Sequence, residues 1–319
     1  MTTAIRWGWS GALRGLLLAI PAAIVALGDP ANAALLAIGV VPAACVPLPP
    51  RRRDRLRPAV LGVLIGVALF VGGVLALWPP LAVVGIFAIA VGASRLAIGR
   101  PLGGIALTLL LPLVGIGFSF SDISTAAELA VVIAAGSAYA LVVSLLWPAG
   151  PGEPGTVFVP PPRALMVRFG YLAGTAGAIC AAIGFALDLE HVGWATGAAL
   201  LVIRPAAQVQ ESRTVGRVVS VVLGATVAIA LVRIDPPDAV YAVAMGVAVM
   251  GATATVGSRW YVLPAFTTFL VFLMLLVNSP DDAASRFWER ALETVLGVGV
   301  AAAVGLLGPR LLARPQSKQ

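Results

Sequence analysis

The chain has 319 residues, 60% hydrophobic and 11% charged, with a mean hydropathy of +1.01. Charged residues make up about a quarter of an ordinary soluble domain, so these proportions exclude one and define a polytopic membrane protein. The formal net charge of +7 would suggest nucleic acid in a soluble chain, but lysine and arginine held on the cytoplasmic side of a membrane account for it, and no nucleic-acid partner is expected.

A membrane span takes about 20 apolar residues, and segments of that kind, separated by Pro, Gly or charge clusters, number about twelve. Lipid leaves every backbone group to be satisfied inside the protein, and the long apolar runs lack the alternation of a transmembrane barrel, so the spans are helices. The expected fold is an all-α membrane protein of about twelve transmembrane helices.

In chain order, Arg6 and Arg14 flank the start of an apolar run that ends near Leu27, followed by Ala31-Asn32-Ala33. This has the outline of a cleavable signal peptide, yet a matching segment opens the second half of the chain, so an uncleaved first span is expected. Span two runs from about Ala31 to Leu48 and stops at the densest positive cluster, Arg51 to Arg57. Span three covers Ala59 to Leu77 and turns at Trp78-Pro79-Pro80. Span four returns to Arg95 and Arg100, span five begins at Pro101, and span six runs from Ala126 to Trp147.

A stretch rich in Pro and Gly follows, residues 151–165, which reads as a cytoplasmic linker. It separates a first six-helix repeat, residues 1–150, from a second, residues 166–319. The order of features recurs at an offset of roughly 160 residues: Asp29 corresponds to the turn Asp188 to Glu190, Pro79-Pro80 to Pro236-Pro237, Arg100 to Arg259, and Glu128 to Glu289. An even number of spans per repeat makes the two repeats parallel. With both termini in the cytoplasm, Arg51 to Arg57, Arg95, Arg100, Arg213, Arg217, Arg259 and the C-terminal tail fall inside, as the positive-inside rule requires. Arg233, Arg286 and Arg290 are the exceptions, near the outer ends of their spans.

No enzyme constellation is visible. The chain has one histidine and two cysteines, Cys45 and Cys180, both within apolar segments, and no phosphate-cradling loop, so neither catalysis, nor a metal, nor a cofactor is expected. The glycines of the apolar segments read as points of close helix approach.

Ionisable groups inside apolar segments are the sharper signal, since each costs roughly 2.5–3.5 kcal/mol at the bilayer centre and faces a cavity or a partner. Glu289 and Glu293 are four apart on one helical face, with Arg290 three before Glu293. They read either as a proton-titratable path with an arginine for an anionic substrate, or as an ion pair that stabilises the outer end of the span. Glu128, which matches Glu289 across the repeat, reads as a pathway carboxylate or as a helix N-terminal charge. Arg204 precedes Pro205, which breaks a helix; its planar fork suits a carboxylate, and snorkelling to the interface is the alternative. His191 and Trp194, at the outer end of span eight, read as a proton sensor or as an interfacial aromatic anchor beside a solvated histidine. Arg51 to Arg57 and the polar loop with Arg213 and Arg217 read as topology and lipid-headgroup contacts.

Trp194, Arg204-Pro205, Ser212-Arg213-Thr214, Arg217 and Leu223-Gly224-Ala225 resemble the core of the fusaric-acid-resistance-like (FUSC) family, relatives of the aromatic-acid exporters. The resemblance spans residues 191–233 and recurs more weakly at Arg290 to Gly297. It implies a secondary transporter of the cell membrane that exports aromatic or other weak organic acids by proton coupling, with a small organic anion, protons and the lipid bilayer as partners; self-association into a homo-oligomer is left open. Larger family members carry a sizeable cytoplasmic domain, for which the short linker offers no equivalent. A more distant resemblance to plant organic-anion channels of paired six-span units keeps a channel as the second reading, and a non-transporting membrane scaffold is the third.

Overall fold

The computed structural model describes residues 5–99, 106–148, 162–203, 207–258 and 261–312. The linker and Arg204-Pro205 therefore lie outside the described residues, apart from 162–165 at the linker's end. The described residues form twelve α-helices and no strand. The first six are α1 (Trp9–Val25), α2 (Pro30–Ala44), α3 (Leu56–Ala76), α4 (Pro79–Leu96), α5 (Leu111–Gly117) and α6 (Ile123–Leu146). The second six are α7 (Arg163–Ala186), α8 (Val192–Val202), α9 (Ala207–Ile234), α10 (Asp238–Ala254), α11 (Val262–Leu276) and α12 (Ala283–Leu312). A wide π-type turn, Ala106–Leu110, leads into α5, and a short 3₁₀ turn, Arg52–Arg55, leads into α3.

Six helices, α3, α4, α6, α7, α9 and α12, have segments long and apolar enough to cross a membrane. Among the shorter apolar helices, α8 has 11 residues, which at 1.5 Å per residue is about 16 Å, roughly half of a hydrocarbon core. The surface of the long helices shows why they suit lipid: Val215, Val219, Leu223 and Val227 of α9 recur every fourth residue and are all exposed, so one apolar stripe faces outward. The opposite face of α9 is largely small, with Gly216, Ser220, Gly224, Ala225 and Ala228 buried beside Arg217, Val221 and Val232. In such a protein the sorting is by size, since small residues let helix backbones approach where no hydrophobic force distinguishes lipid from protein.

The described chain forms two compact units, each drawing on both halves of the sequence. One unit comprises residues 1–67, 127–156 and 216–291. Here α1 lies along α10: a Cβ on Gly11 or Gly15 would run into Thr253 and Met250, and the Gly8 amide donates to the Ala254 carbonyl at 2.8 Å. Helix α2 packs on α1, α10 and α11, and meets α6 where Gly39 and Gly136 bring two backbones together. The core of this unit gathers Leu18, Ala34, Met245, Leu270, Phe272 and Leu276, all essentially inaccessible. Asp29 starts α2 by accepting from the Asn32 amide at 3.1 Å, with Pro30 at the first helical position, where a missing N–H costs nothing.

The other unit comprises residues 68–126, 157–215 and 292–319. Here α7 lies along α4, with Gly170 on Ser94 and Gly174 on Phe87. Helix α8 is packed by α7 and α5; Gly193 and Gly197 meet Ile116, and Gly115 meets Thr196. Asp188 ends α7 in the left-handed region, φ 50°, and the Leu189 amide closes back on the Gly184 carbonyl at 2.9 Å, a helix stop that Asp tolerates better than most residues.

Two local expectations are corrected. The polar stretch from Gln210 to Arg217 is not a loop but the opening turns of α9; from Ala207 to Val215 it contains neither Gly nor Pro, and Ala, Gln, Glu and Arg favour helix whatever their polarity. The arginine cluster is not uniformly a headgroup surface either. Arg51 and Arg53 are exposed, but Arg55 is 1% exposed. Its Nε donates to the Pro49 carbonyl at 3.2 Å, and its Nη groups donate to the carbonyls of Ser144, Trp147 (2.7 Å) and Pro148 (3.1 Å). The last three lie at and just past the end of α6, where a cation also suits the helix dipole.

Candidate functional site

The buried charges among the described residues are four arginines, Arg14, Arg55, Arg217 and Arg290, and one carboxylate, Glu293. Glu293 and Arg290 lie one turn apart on α12, both buried, with Glu293 3% exposed. The next residue, Thr294, is equally buried, and its hydroxyl has no hydrogen-bond partner among the described residues. One turn further along, Gly297 abuts the Ala195 carbonyl and Ala198 of α8. The face of α12 that carries Glu293 and Thr294 thus leads directly into the close contact with α8.

At the other end of that contact, His191 is the N-cap of α8 and stacks on Trp194, ring centroids 4.1 Å apart and planes 19° from parallel. Trp194 is 4% exposed. It is therefore not an interfacial anchor: every residue of α8 except Leu201 is buried, and the indole packs inside the unit.

Glu289 is partly buried and pairs with Arg286, Nη1 to Oε2 3.3 Å, one turn back. Glu128 is exposed in the second turn of α6, and the turn before it is capped by a different carboxylate. Asp122 accepts from the Ser124 and Thr125 hydroxyls and from the Thr125 amide at 3.1 Å; these hydrogen bonds hold its carboxyl down at about 2. Arg204 lies outside the described residues.

Thr294 and the buried Arg14 and Arg217 were not among the sequence candidates. Thr294 is legible in retrospect, since it lies beside Glu293 and three residues before a contact glycine. Arg14 and Arg217 carry no such mark, because an arginine near the end of a span looks the same whether it turns toward water or into the protein.

Chemically, a carboxylate taken out of water must either bind a proton or be held by a cation. Exchange between those two states is what a coupled carrier needs, and a neighbouring arginine offers a carboxylate-sized anion a matching fork.

Helices of spanning length, lipid-facing apolar stripes and a small set of buried charges define a multi-pass membrane protein. Residues 179–304 match the family model described as fusaric acid resistance protein-like. The matched stretch covers about two fifths of the chain, is similar to that family, and runs from within α7 into α12. It contains residues 191–233 and Arg290 to Gly297, where the sequence resemblance lies, and also His191, Trp194, Glu289, Arg290 and Glu293. No curated protein and no solved structure matches the chain.

Proposed function

We propose that the protein is a secondary transporter of the cell membrane that exports aromatic or other weak organic acids with proton coupling, both termini being cytoplasmic. The observation that carries this reading is Glu293, a carboxylate 3% exposed on the face of α12 that meets α8. Ionisable groups at such positions serve proton or substrate paths. Glu293 carries the proton; Arg290, buried one turn away, anchors the anionic substrate.

Two parallel six-helix repeats underlie this architecture. In one unit α1 packs on α10 and α2, and α2 on α11; in the other α7 packs on α4 and α8, and α8 on α5. Each contact has its counterpart six helices on. The glycines match as well: Gly11 and Gly15 on Thr253 recur as Gly170 and Gly174 on Ser94 and Phe87, at the same offset of roughly 160 residues.

The test is uptake and efflux of a panel of labelled organic acids in proteoliposomes, with and without an imposed pH gradient, for wild type and Glu293→Gln. Gradient-driven accumulation that the substitution abolishes is the expected result; its absence for every acid overturns the reading. A channel is the second reading, favoured by the four buried arginines, since fixed positive charge suits an anion pore. It predicts downhill flux indifferent to both the gradient and Glu293→Gln.

A further inference from the structure

A second group of buried charges lies in the unit that contains residues 1–67 and 127–156. Arg14 of α1 and Arg55 line a small cleft with Leu18, Ala44, Ala140 and Ser144, with room for about one water-sized particle. Arg14 is 7% exposed. Its Nη2 donates to the Ala44 carbonyl at 2.9 Å, but its Nε is buried and has no hydrogen-bond partner among the described residues. Arg55 commits its donors to the carbonyls around the end of α6, so its charge remains while its hydrogen bonds are taken. Among the described residues no carboxylate lines the cleft; the neighbouring acid, Asp54, pairs with Arg57 at 3.2 Å.

Two guanidinium groups are thus buried side by side around a small void, with an unused donor and no protein counter-charge at its wall. Buried charges without a counter-ion are strongly unfavourable, and carbonyl dipoles compensate them only in part. A water could accept from the Nε donor but would leave both charges uncompensated; an anion would satisfy the donor and both charges at once. We propose that this cleft binds one monatomic anion of chloride size. Leu18 and Ala140 close the walls with apolar groups, and the space admits one atom of that size but not a carboxylate, a sulfate or a lipid phosphate.

The experiment uses the full chain in detergent micelles. Thermal unfolding is followed in sodium chloride, bromide, gluconate and sulfate at matched ionic strength, together with the ³⁵Cl linewidth. Chloride and bromide are expected to raise Tm saturably by a few degrees, with excess ³⁵Cl broadening that bromide displaces, while gluconate and sulfate do neither. Arg14→Gln removes the anion dependence, and so does Ala140→Leu, which fills the void and leaves the charges in place. Equal Tm in all four salts with no excess broadening overturns the proposal and assigns the void to water. A sulfate effect equal to that of chloride overturns it in favour of unspecific screening, and an anion effect that survives both substitutions overturns the assignment to this cleft. The linewidth arm on the unaltered protein decides the matter even where a variant does not fold.

Discussion

Gly170 of α7 lies directly against the Ser94 side chain of α4, so that a Cβ at position 170 would collide with its hydroxyl and its own Cβ. Gly170→Ala is therefore expected to separate the two helices and cost about 1–3 kcal/mol, read as a fall in Tm. Ser94→Gly in the same chain removes the obstacle. The pair should be strongly non-additive, with most of the stability recovered in the double variant.

Neutralising Glu293 is expected to leave the protein folded while removing its coupling. Glu293→Gln keeps the shape of the side chain and loses its charge, so a folded protein with a cooperative thermal transition is expected. Gradient-driven flux should fall at least about tenfold, the scale on which loss of a positioned proton carrier is felt. Unchanged flux would remove Glu293 from the path.

Arg55 holds four carbonyl groups, and its loss leaves those of Ser144 and Trp147 without their cationic partner. Arg55→Ala should cost about 3 kcal/mol or more, given that each charged hydrogen bond contributes about 1.5–3. Arg55→Lys should rescue little, since a single ammonium cannot span acceptors that a planar fork reaches together. Thermal unfolding of both variants beside Arg53→Ala, whose side chain is exposed, is the comparison that checks this.

The Asp122 cap has a defined pH window. Its carboxyl is held at about 2 in the folded state, below the unfolded value of about 3.9. A depressed value means that the cap contributes fully above about pH 4 and is lost as pH falls toward 2. Protection factors from hydrogen exchange at Thr125 and Ala126 should be flat from pH 8 to 5 and drop below pH 4. Asp122→Ala should lower them about fivefold at neutral pH and abolish the acid transition.

Trp194 fills the interior beside His191, so Trp194→Ala should cost about 3–5 kcal/mol as a buried aromatic. Trp194→Phe should retain most of that, since packing and not an interfacial anchor is what the residue supplies. The distinction is measured by comparing the two variants in thick and thin bilayers: an anchor would respond to thickness, a core residue would not.

The helices themselves were largely legible in the sequence, because Pro, Gly and charge clusters punctuate its apolar runs, although only six of the twelve have segments long and apolar enough to cross a membrane. Where the reading went astray, polarity was taken for exposure. Arg55 and Trp194 have the composition of a membrane interface and the position of core residues, and a sequence carries no record of which way a side chain near a span end turns. The stretch Gln210 to Arg217 shows the converse, a polar segment whose helix propensity outweighed its charge. Glu293 was singled out because a carboxylate deep in an apolar run is costly, and what the structure adds is its burial. The pairing of α1 with α10 and of α7 with α4 could not be read in advance, since small-residue faces of Gly, Ala and Ser are interchangeable until the helices meet.

The grip of Arg55 on α6 also sets an order of events during synthesis. The Ser144, Trp147 and Pro148 carbonyls that receive this side chain lie 89, 92 and 93 residues later in the chain. At about 5–20 residues per second, the arginine waits several seconds before its partners exist. During that interval it must stay in water or among lipid headgroups, and the start of α3 cannot settle into its final depth. The unit that holds α3 and α6 is therefore completed from its later helix backward, with the nascent chain held at the membrane surface until α6 arrives.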